Sequence, residues 1–397
     1  MAPPRVSANG PTQVFRGGAR SRTLWSFHSS VACAPFPATA PSVHSPRWPR
    51  RRLVARIDTK TCSTGGLPLS STTEPMVHVR LATEDDAVGI CQVYLTDVVE
   101  WYRTLPDGSR ISARYEDLSA FERYLHGGPW MDPESCSVHI RSVVDSGQWP
   151  LVAIEGNEVV GELELIVGPD PRWKKTAHID VLTVHREFRG RGVGRALVGD
   201  GRRRAEEASC DWITTNPEET AIEFYRKCGL ETVLARQQDF SLPVTIKGPG
   251  RVAAPVPAPL ASFAPLERLD HILGRFQTSY ADWIKWAWPL PGLTGRIRRE
   301  EGAIPPLNAY YRLRQDSRRE KTAELQAWAP DSSNLPELLR SCVCRAEHLG
   351  FDGVETTIDA GDLPRVSSLG GTWGKETMIL GRALKGRDGS GQCLNPT

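Results

Sequence analysis

The run Val184-His185-Arg186-Glu187-Phe188-Arg189-Gly190-Arg191-Gly192-Val193-Gly194-Arg195 joins an apolar, strand-like stretch to a helix-like one. Glycines at 190, 192 and 194 let backbone N–H groups approach a ligand with no Cβ in the way. A glycine-rich turn that opens a helix suits an anion, because free amides and the helix dipole both favour negative charge. The local charge agrees: residues 186–204 hold seven arginines against two acidic residues, a balance of +5. The spacing is G-x-G-x-G, so the dinucleotide fingerprint G-x-G-x-x-G is not met, and no P-loop G-x-x-x-x-G-K-[ST] occurs. The chemistry implied is the holding of a polyphosphate, and the plainer alternative is a solvated basic turn.

The elements that would position this loop begin at Met76. Val77, Val79 and Leu81 alternate as a strand, and Thr83 precedes Asp86 in a capping-box pattern. Ala87, Ile90, Cys91, Tyr94, Leu95 and Val98 follow at helical spacing. Residues 100–135 read as irregular and aromatic, with Trp101, Tyr102, Tyr115 and Trp130 free either to line an acceptor site or to pack a core. Residues 150–155 and 158–167 read as a hairpin turning at Gly156-Asn157. A strand over 176–184, a helix over 192–208, a strand over 211–215, a helix over 218–228 ended by Gly229, and a strand over 231–242 complete the pattern. The expected fold class is α/β, with helices around one mixed sheet.

The loop and its surroundings resemble the Q/R-x-x-G-x-G/A pyrophosphate loop of the GNAT superfamily of acetyl-CoA-dependent N-acetyltransferases. Here it reads Arg189-x-x-Gly192-x-Gly194. A second signature of that family follows in order: Asn216, then Ala221-Ile222-Glu223-Phe224-Tyr225-Arg226-Lys227-Cys228-Gly229-Leu230. The resemblance covers about residues 76–245. It implies acetyl-CoA as co-substrate and no metal. It also implies that Leu182, Thr183 and Val184 pair with the pantetheine arm, and that Arg189, Gly190, Arg191, Gly192, Val193, Gly194 and Arg195, with Asn216, make up the cofactor site.

Under the same resemblance Tyr225 would supply a proton or hydrogen bond to the departing thiolate, a task open to a phenol of pKa ~10. The base that deprotonates the acceptor amine is left among several residues. His178 and Asp180 stand two apart on one strand, and so do Glu162 and Glu164 on the one before it. His178 ranks first because histidine titrates nearest neutrality, with Asp180 and Glu164 next. The implied reaction is acetyl transfer to a primary amine, on a small molecule or a protein. The alternative is an acyl-CoA sensor or binding module without a working base.

Composition bounds the rest. The net charge of +2 sums unlike parts: +8 over residues 1–75, −9 over 76–245 and +3 over 246–397. The +8 lies in a proline-, serine- and arginine-rich stretch without apolar periodicity, expected to be a disordered or targeting extension. A domain at −9 argues against nucleic acid as partner and mildly favours a cationic amine. No run of about 18 apolar residues occurs, so no membrane partner is expected. The nine cysteines form no CxxC pair, which points to structural thiols and a cytoplasmic location, or an organellar one if residues 1–75 are a transit peptide.

The chain also repeats weakly. Lys175-Thr176-Ala177 returns as Lys321-Thr322-Ala323, Arg204-Ala205-Glu206 as Arg345-Ala346-Glu347, and Gly229-x-Glu231-Thr232 as Gly374-x-Glu376-Thr377. Proline content marks a linker over 246–265, and the matches imply a degenerate second domain of the same fold over 266–387, followed by a tail over 388–397. The second domain lacks both the glycine loop and the tyrosine. Tyr280, Trp283, Trp286 and Trp288 read as core or interface aromatics.

Overall fold

The computed structural model describes residues 77–105, 108–245, 250–289, 293 and 295–384. The expected extension over 1–75 and tail over 388–397 lie outside the described residues. In the N-terminal half, β1 (His78–Leu81) leads to α1 (Ala87–Leu95), a small hairpin of β2 (Tyr102–Thr104) and β3 (Arg110–Ser112), α2 (Ala120–Gly127) and α3 (Pro133–Asp145). Then come β4 (Trp149–Glu155), β5 (Glu158–Asp170), β6 (Lys174–Val184), α4 (Val193–Glu207), β7 (Trp212–Thr215), α5 (Ile222–Lys227) and β8 (Thr232–Pro243). The C-terminal half holds β9 (Val256–Pro257), β10 (Asp270–Leu273), α6 (Ser279–Ile284), β11 (Arg299–Ile304), β12 (Ala309–Gln315) and β13 (Thr322–Ala329). It ends with α7 (Leu335–His348), β14 (Gly353–Asp359), α8 (Leu363–Val366) and β15 (Thr372–Ala383).

The stretch expected to be irregular, 100–135, contains α2 and the approach to α3. Asp132 caps α3 by accepting from the Ser135 amide at 3.1 Å, and Pro133 takes the first helical position, where its missing N–H costs nothing. Cys136, His139, Ile140 and Val143 then recur at i, i+3, i+4 and i+7 and are buried.

Thirteen strands share one sheet in the order β1-β4-β5-β6-β7-β15-β8-β14-β10-β13-β12-β11-β9, and the halves exchange strands at its centre. Strand β15 comes from the C-terminal half and lies between β7 and β8, while β8 pairs with β14. Residues 256–257, inside the stretch expected as a linker, form an edge strand on β11. A cut at 246–265 therefore does not separate two sheets.

Two of the sequence matches land on matching hydrogen bonds. Lys175 O accepts from Asp211 N at 2.7 Å, and Lys321 O from Asp352 N at 2.7 Å. The ends of α4 and α7 close alike: Cys210 N donates to Ala205 O at 2.9 Å, and Phe351 N to Ala346 O at 3.1 Å. The exchanged strands close symmetrically too, Leu384 N on Asp211 O at 2.9 Å and Val244 N on Asp352 O at 3.1 Å. The third match does not correspond. Gly229 ends α5 in the left-handed region, whereas Gly374 lies within β15; the glycine that stops the turn before β15 is Gly370, also left-handed.

One apolar cluster of the N-terminal half packs α4 on the sheet through Leu151, Leu163, Leu165, Ile179, Val193 and Leu197. Another packs α1 and α3 on the opposite face through Ile90, Tyr94, Trp130, Ile140, Val152 and Val181. The aromatic segment after residue 278 is an interface, as its composition implies: Ile284 and Trp288 pack on Val143 and Ile166 of the N-terminal half.

Candidate active site

Strand β6 pairs with β7 only from Thr176 to Ile179, because β7 ends at Thr215. From Asp180 to Val184 its edge on that side has no strand partner, while its other edge stays paired to β5 through Val184. The β5–β6 ladder slips at this point: Leu165 faces Ile179, and Glu164 faces Val181, so Asp180 is the extra residue of a β-bulge. The bulge sits where the two parallel strands part. Leu182, Thr183 and Val184 lie along the free edge.

Directly after β6 comes the glycine loop. Gly190 and Gly192 have φ of 77° and 89°, with nothing within 4 Å of where a Cβ would stand. Gly192 is the N-cap of α4 in the left-handed region and brings no side chain to cap it. The first intrahelical bond, Ala196 N to Gly192 O at 2.9 Å, leaves the amides of Val193, Gly194 and Arg195 without helical acceptors. Gly194 packs on α5, where a Cβ would stand 3.1 Å from the Phe224 ring. Arg189 is spent on structure: it donates to Val184 O at 2.9 Å and to Asp97 at 2.6 Å, tying the loop to the end of α1. Arg191 and Arg195 are exposed. Asn216 turns to the C-terminal half, where its side-chain amide donates to Phe276 O at 2.6 Å.

Tyr225 is buried in the cluster that includes Ile213 of β7, and burial pushes its phenol well above the ordinary range. The sheet face under α1 and α3 carries the acid groups. Glu162 and Glu164 are fully buried, as is the Asp180 side chain. Tyr94 donates its hydroxyl to Glu162 Oε2 at 2.7 Å and stacks on Trp130, with ring centroids 4.9 Å apart. Trp130 donates its indole N–H to Glu164 Oε1 at 3.2 Å, and His139 Nε2 lies 2.7 Å from the same oxygen. Asp180 Oδ1 accepts from Lys285 Nζ at 2.8 Å and from the Gln277 side-chain amide, both supplied by the C-terminal half.

The ranking of candidate bases changes accordingly. His178 is buried with Nδ1 2.8 Å from Thr214 Oγ1, and desolvation brings its pKa down to about 4, so it is a poor proton acceptor. Asp180 is committed to an ion pair. Glu164 has a histidine partner at one oxygen and no donor at the other. The sequence reading missed His139, Gln277 and Lys285. His139 was legible, on a helix announced by Asp132-Pro133; Gln277 and Lys285 were not, since only the packing of α6 on β5 brings them to Asp180.

No group of three or more His, Cys, Asp and Glu among the described residues is arranged to hold a metal. None of the described helices is long and apolar enough to cross a membrane. Cys91 and Cys210 are buried thiols outside any disulfide, and Cys228 is a half-buried one.

Residues 112–230 match the model of the Acetyltransferase (GNAT) family, and this part of the chain is a GNAT acetyltransferase domain. The family supports an acyl-transfer function. No curated protein matches the chain. Among solved structures, it is similar to a GCN5-related N-acetyltransferase from Kribbella flavida at 14% identity, covering 78% of this chain and 71% of that one with a TM-score of 0.48. A putative acetyltransferase from Pyrococcus horikoshii matches at 13% identity, 80% and 92% coverage and a TM-score of 0.45. A tandem GNAT protein from the clavulanic acid biosynthesis pathway matches at 15% identity, 79% and 100% coverage and a TM-score of 0.44.

Proposed function

We propose that the chain transfers an acetyl group from acetyl-CoA to a primary amine, with the chemistry confined to the N-terminal half. The observation that carries this reading is the unpaired β6 edge at the Asp180 bulge, followed at once by a glycine loop with free helix-opening amides. Open space beside Gly190 and Gly192 fits the close approach of a pyrophosphate. The amides of Gly190 to Arg195 would hold it, and Leu182, Thr183 and Val184 offer a strand edge to the pantetheine arm. Acetyl-CoA supplies the activated acyl group.

Glu164 takes a proton from the acceptor ammonium, and His139 beside it helps spread the gained proton. The freed amine attacks the thioester carbon; a C–N bond forms, the C–S bond breaks and the nitrogen's remaining extra proton leaves. Tyr225 gives the departing sulfur a hydrogen bond or proton. Net, one ammonium proton is released per turnover. The buried carboxylates favour an acceptor that arrives as a cation.

The C-terminal half is read as a second, diverged copy of the same fold, on the matching hydrogen bonds of its strands and helix ends. The complete burial of Glu162, Glu164 and Asp180 beneath α1, α3 and α6 also favours a second reading, an acyl-CoA binding module. Two measurements decide. Calorimetry should give one acetyl-CoA site per chain, abolished in Gly192→Glu by backbone strain, bulk and like charge; no heat at about 100 μM acetyl-CoA overturns the proposal. An amine panel followed through release of free CoA thiol separates enzyme from module: binding without turnover of any amine selects the module.

A further inference from the structure

We propose that Glu162 is a proton-carrying partner of Glu164: its carboxyl O–H donates to the free oxygen of Glu164 and thereby sets the strength of the base. The proposal rests on the acyl-transfer reading of the same centre.

The two residues alternate on β5, so their carboxyls leave the same face of the sheet, and both are fully buried. Each has one oxygen accounted for. Glu162 Oε2 accepts from Tyr94, and Glu164 Oε1 meets Trp130 and His139. The other two, Glu162 Oε1 and Glu164 Oε2, meet no donor in the protein. The two carboxyls are neighbours on one strand face, shut away from water, each with one oxygen left over. Two adjacent carboxylates away from water repel, and one proton shared by the pair converts that repulsion into a hydrogen bond.

Three elements pack on the pair. Helix α1 presents Tyr94 and the Cys91 thiol; α3 presents His139 and the Cys136 thiol; β6 presents Asp180 and Thr183. Lys285 enters from beyond α6 and donates to Asp180 and Gln277. Glu164 has the Trp130 indole N–H and the His139 ring beside it where Glu162 has one phenol, and this richer polar setting places the proton on Glu162. Burial and the neighbouring Glu164 charge push the Glu162 carboxyl well above the usual carboxylate range, in agreement with that placement.

The sign for stability follows from a raised folded-state value. Below the unfolded pKa of about 4.3 the group costs nothing; as pH rises above that value the unfolded chain loses the proton and the folded chain keeps it, so stability falls. Glu162→Gln keeps a donor towards Glu164 and removes the titration. Its melting temperature should therefore gain on wild type steadily from pH 5 to pH 8. An infrared spectrum at pH 7 should show the carbonyl stretch of a protonated carboxylic acid in wild type and lose it in Glu162→Gln. In turnover, Glu162→Leu removes the donor, so the acid limb of the kcat/KM profile should move up by about one pH unit, while Glu162→Gln restores it to the wild-type position.

Absence of the infrared band in wild type, or parallel melting curves for wild type and Glu162→Gln, overturns the proposal. The spectra and melting curves need no substrate. A wild type that acetylates no amine thus overturns the acyl-transfer reading while leaving the shared proton to be judged by its own data.

Discussion

The two halves treat the same gap in the sheet in opposite ways. In the N-terminal half, β6 and β7 part after Ile179, and the edge of β6 beyond that point is left open. In the C-terminal half, β13 and β14 pair from Thr322 to Glu324, and β10 then enters between them, with Leu273 against Ala327 and Ile358. The slot that could receive a ligand's extended arm on one side is filled by the chain itself on the other. The loop that follows each strand agrees. After β6 come Gly190, Gly192 and Gly194; after β13 come Pro330-Asp331-Ser332-Ser333-Asn334, with no glycine and an acidic residue unsuited to phosphate. The inner faces differ as well: carboxylates on β5 and β6, buried arginines Arg312 and Arg314 on β12. Under the proposed function, the N-terminal half carries the chemistry and the C-terminal half is scaffold.

The largest test of that contrast is Glu164→Gln. If the N-terminal centre does the chemistry, kcat should fall by about 10²–10⁴-fold, the usual worth of a positioned base, with acetyl-CoA binding unaltered. Gln326, offset from Asp180 by the same 146 residues that separate Lys175 from Lys321, gives the control: Gln326→Ala should leave kcat within about threefold of wild type, or roughly 0.7 kcal/mol. Steady-state rates for both variants check this. Equal losses in the two would break the assignment of chemistry to one half.

Much of the contrast was legible in residues. The glycine loop, its position between a strand and a helix, and the missing glycines in the C-terminal half need only local rules, because a phosphate loop is built from consecutive backbone amides. The two short repeats that hold are those at strand starts and helix ends, where a hydrogen bond fixes the register. What sequence could not supply was anything set by long-range packing. The bulge at Asp180 depends on the β5 register, and the filling of the C-terminal slot depends on where β10 returns. Lys285 meets Asp180 across 105 residues. His178 shows the same limit: its residue type suits a base, but its depth in the sheet lowers its pKa.

The filled slot makes its own prediction. Gly274 ends β10 with φ of 68°, and a Cβ there would lie 2.1 Å from the Leu325 carbonyl oxygen, a backbone atom that cannot move aside cheaply. Gly274→Ala should therefore destabilise the chain by about 3–4 kcal/mol, from the left-handed conformation together with overpacking. Thermal or denaturant unfolding measures it. A change below about 1 kcal/mol would mean that β10 is dispensable and that the second slot is free to open.

Arg312 tests the scaffolding role at slightly smaller scale. Its Nε donates to Glu301 at 2.9 Å and its Nη1 to the Trp283 carbonyl at 2.9 Å, between the rings of Trp286 and Trp328. Burial lowers its pKa only to about 10, so it stays a cation at neutral pH. The carbonyl it grips belongs to the segment that delivers Lys285 to Asp180, so a buried arginine of one half holds in place the lysine that faces the carboxylates of the other. Arg312→Met should cost about 3 kcal/mol, chiefly because the Glu301 charge keeps only the Leu260 amide, and Arg312→Met with Glu301→Gln, which still accepts from that amide, should recover most of it. If the arginine acts only as local scaffolding, the double variant regains both stability and rate. If its hold on Trp283 matters for the centre, the double variant regains stability but turns over more slowly, through a loosened Lys285–Asp180 pair. Melting temperature and kcat measured on the same three proteins separate these outcomes.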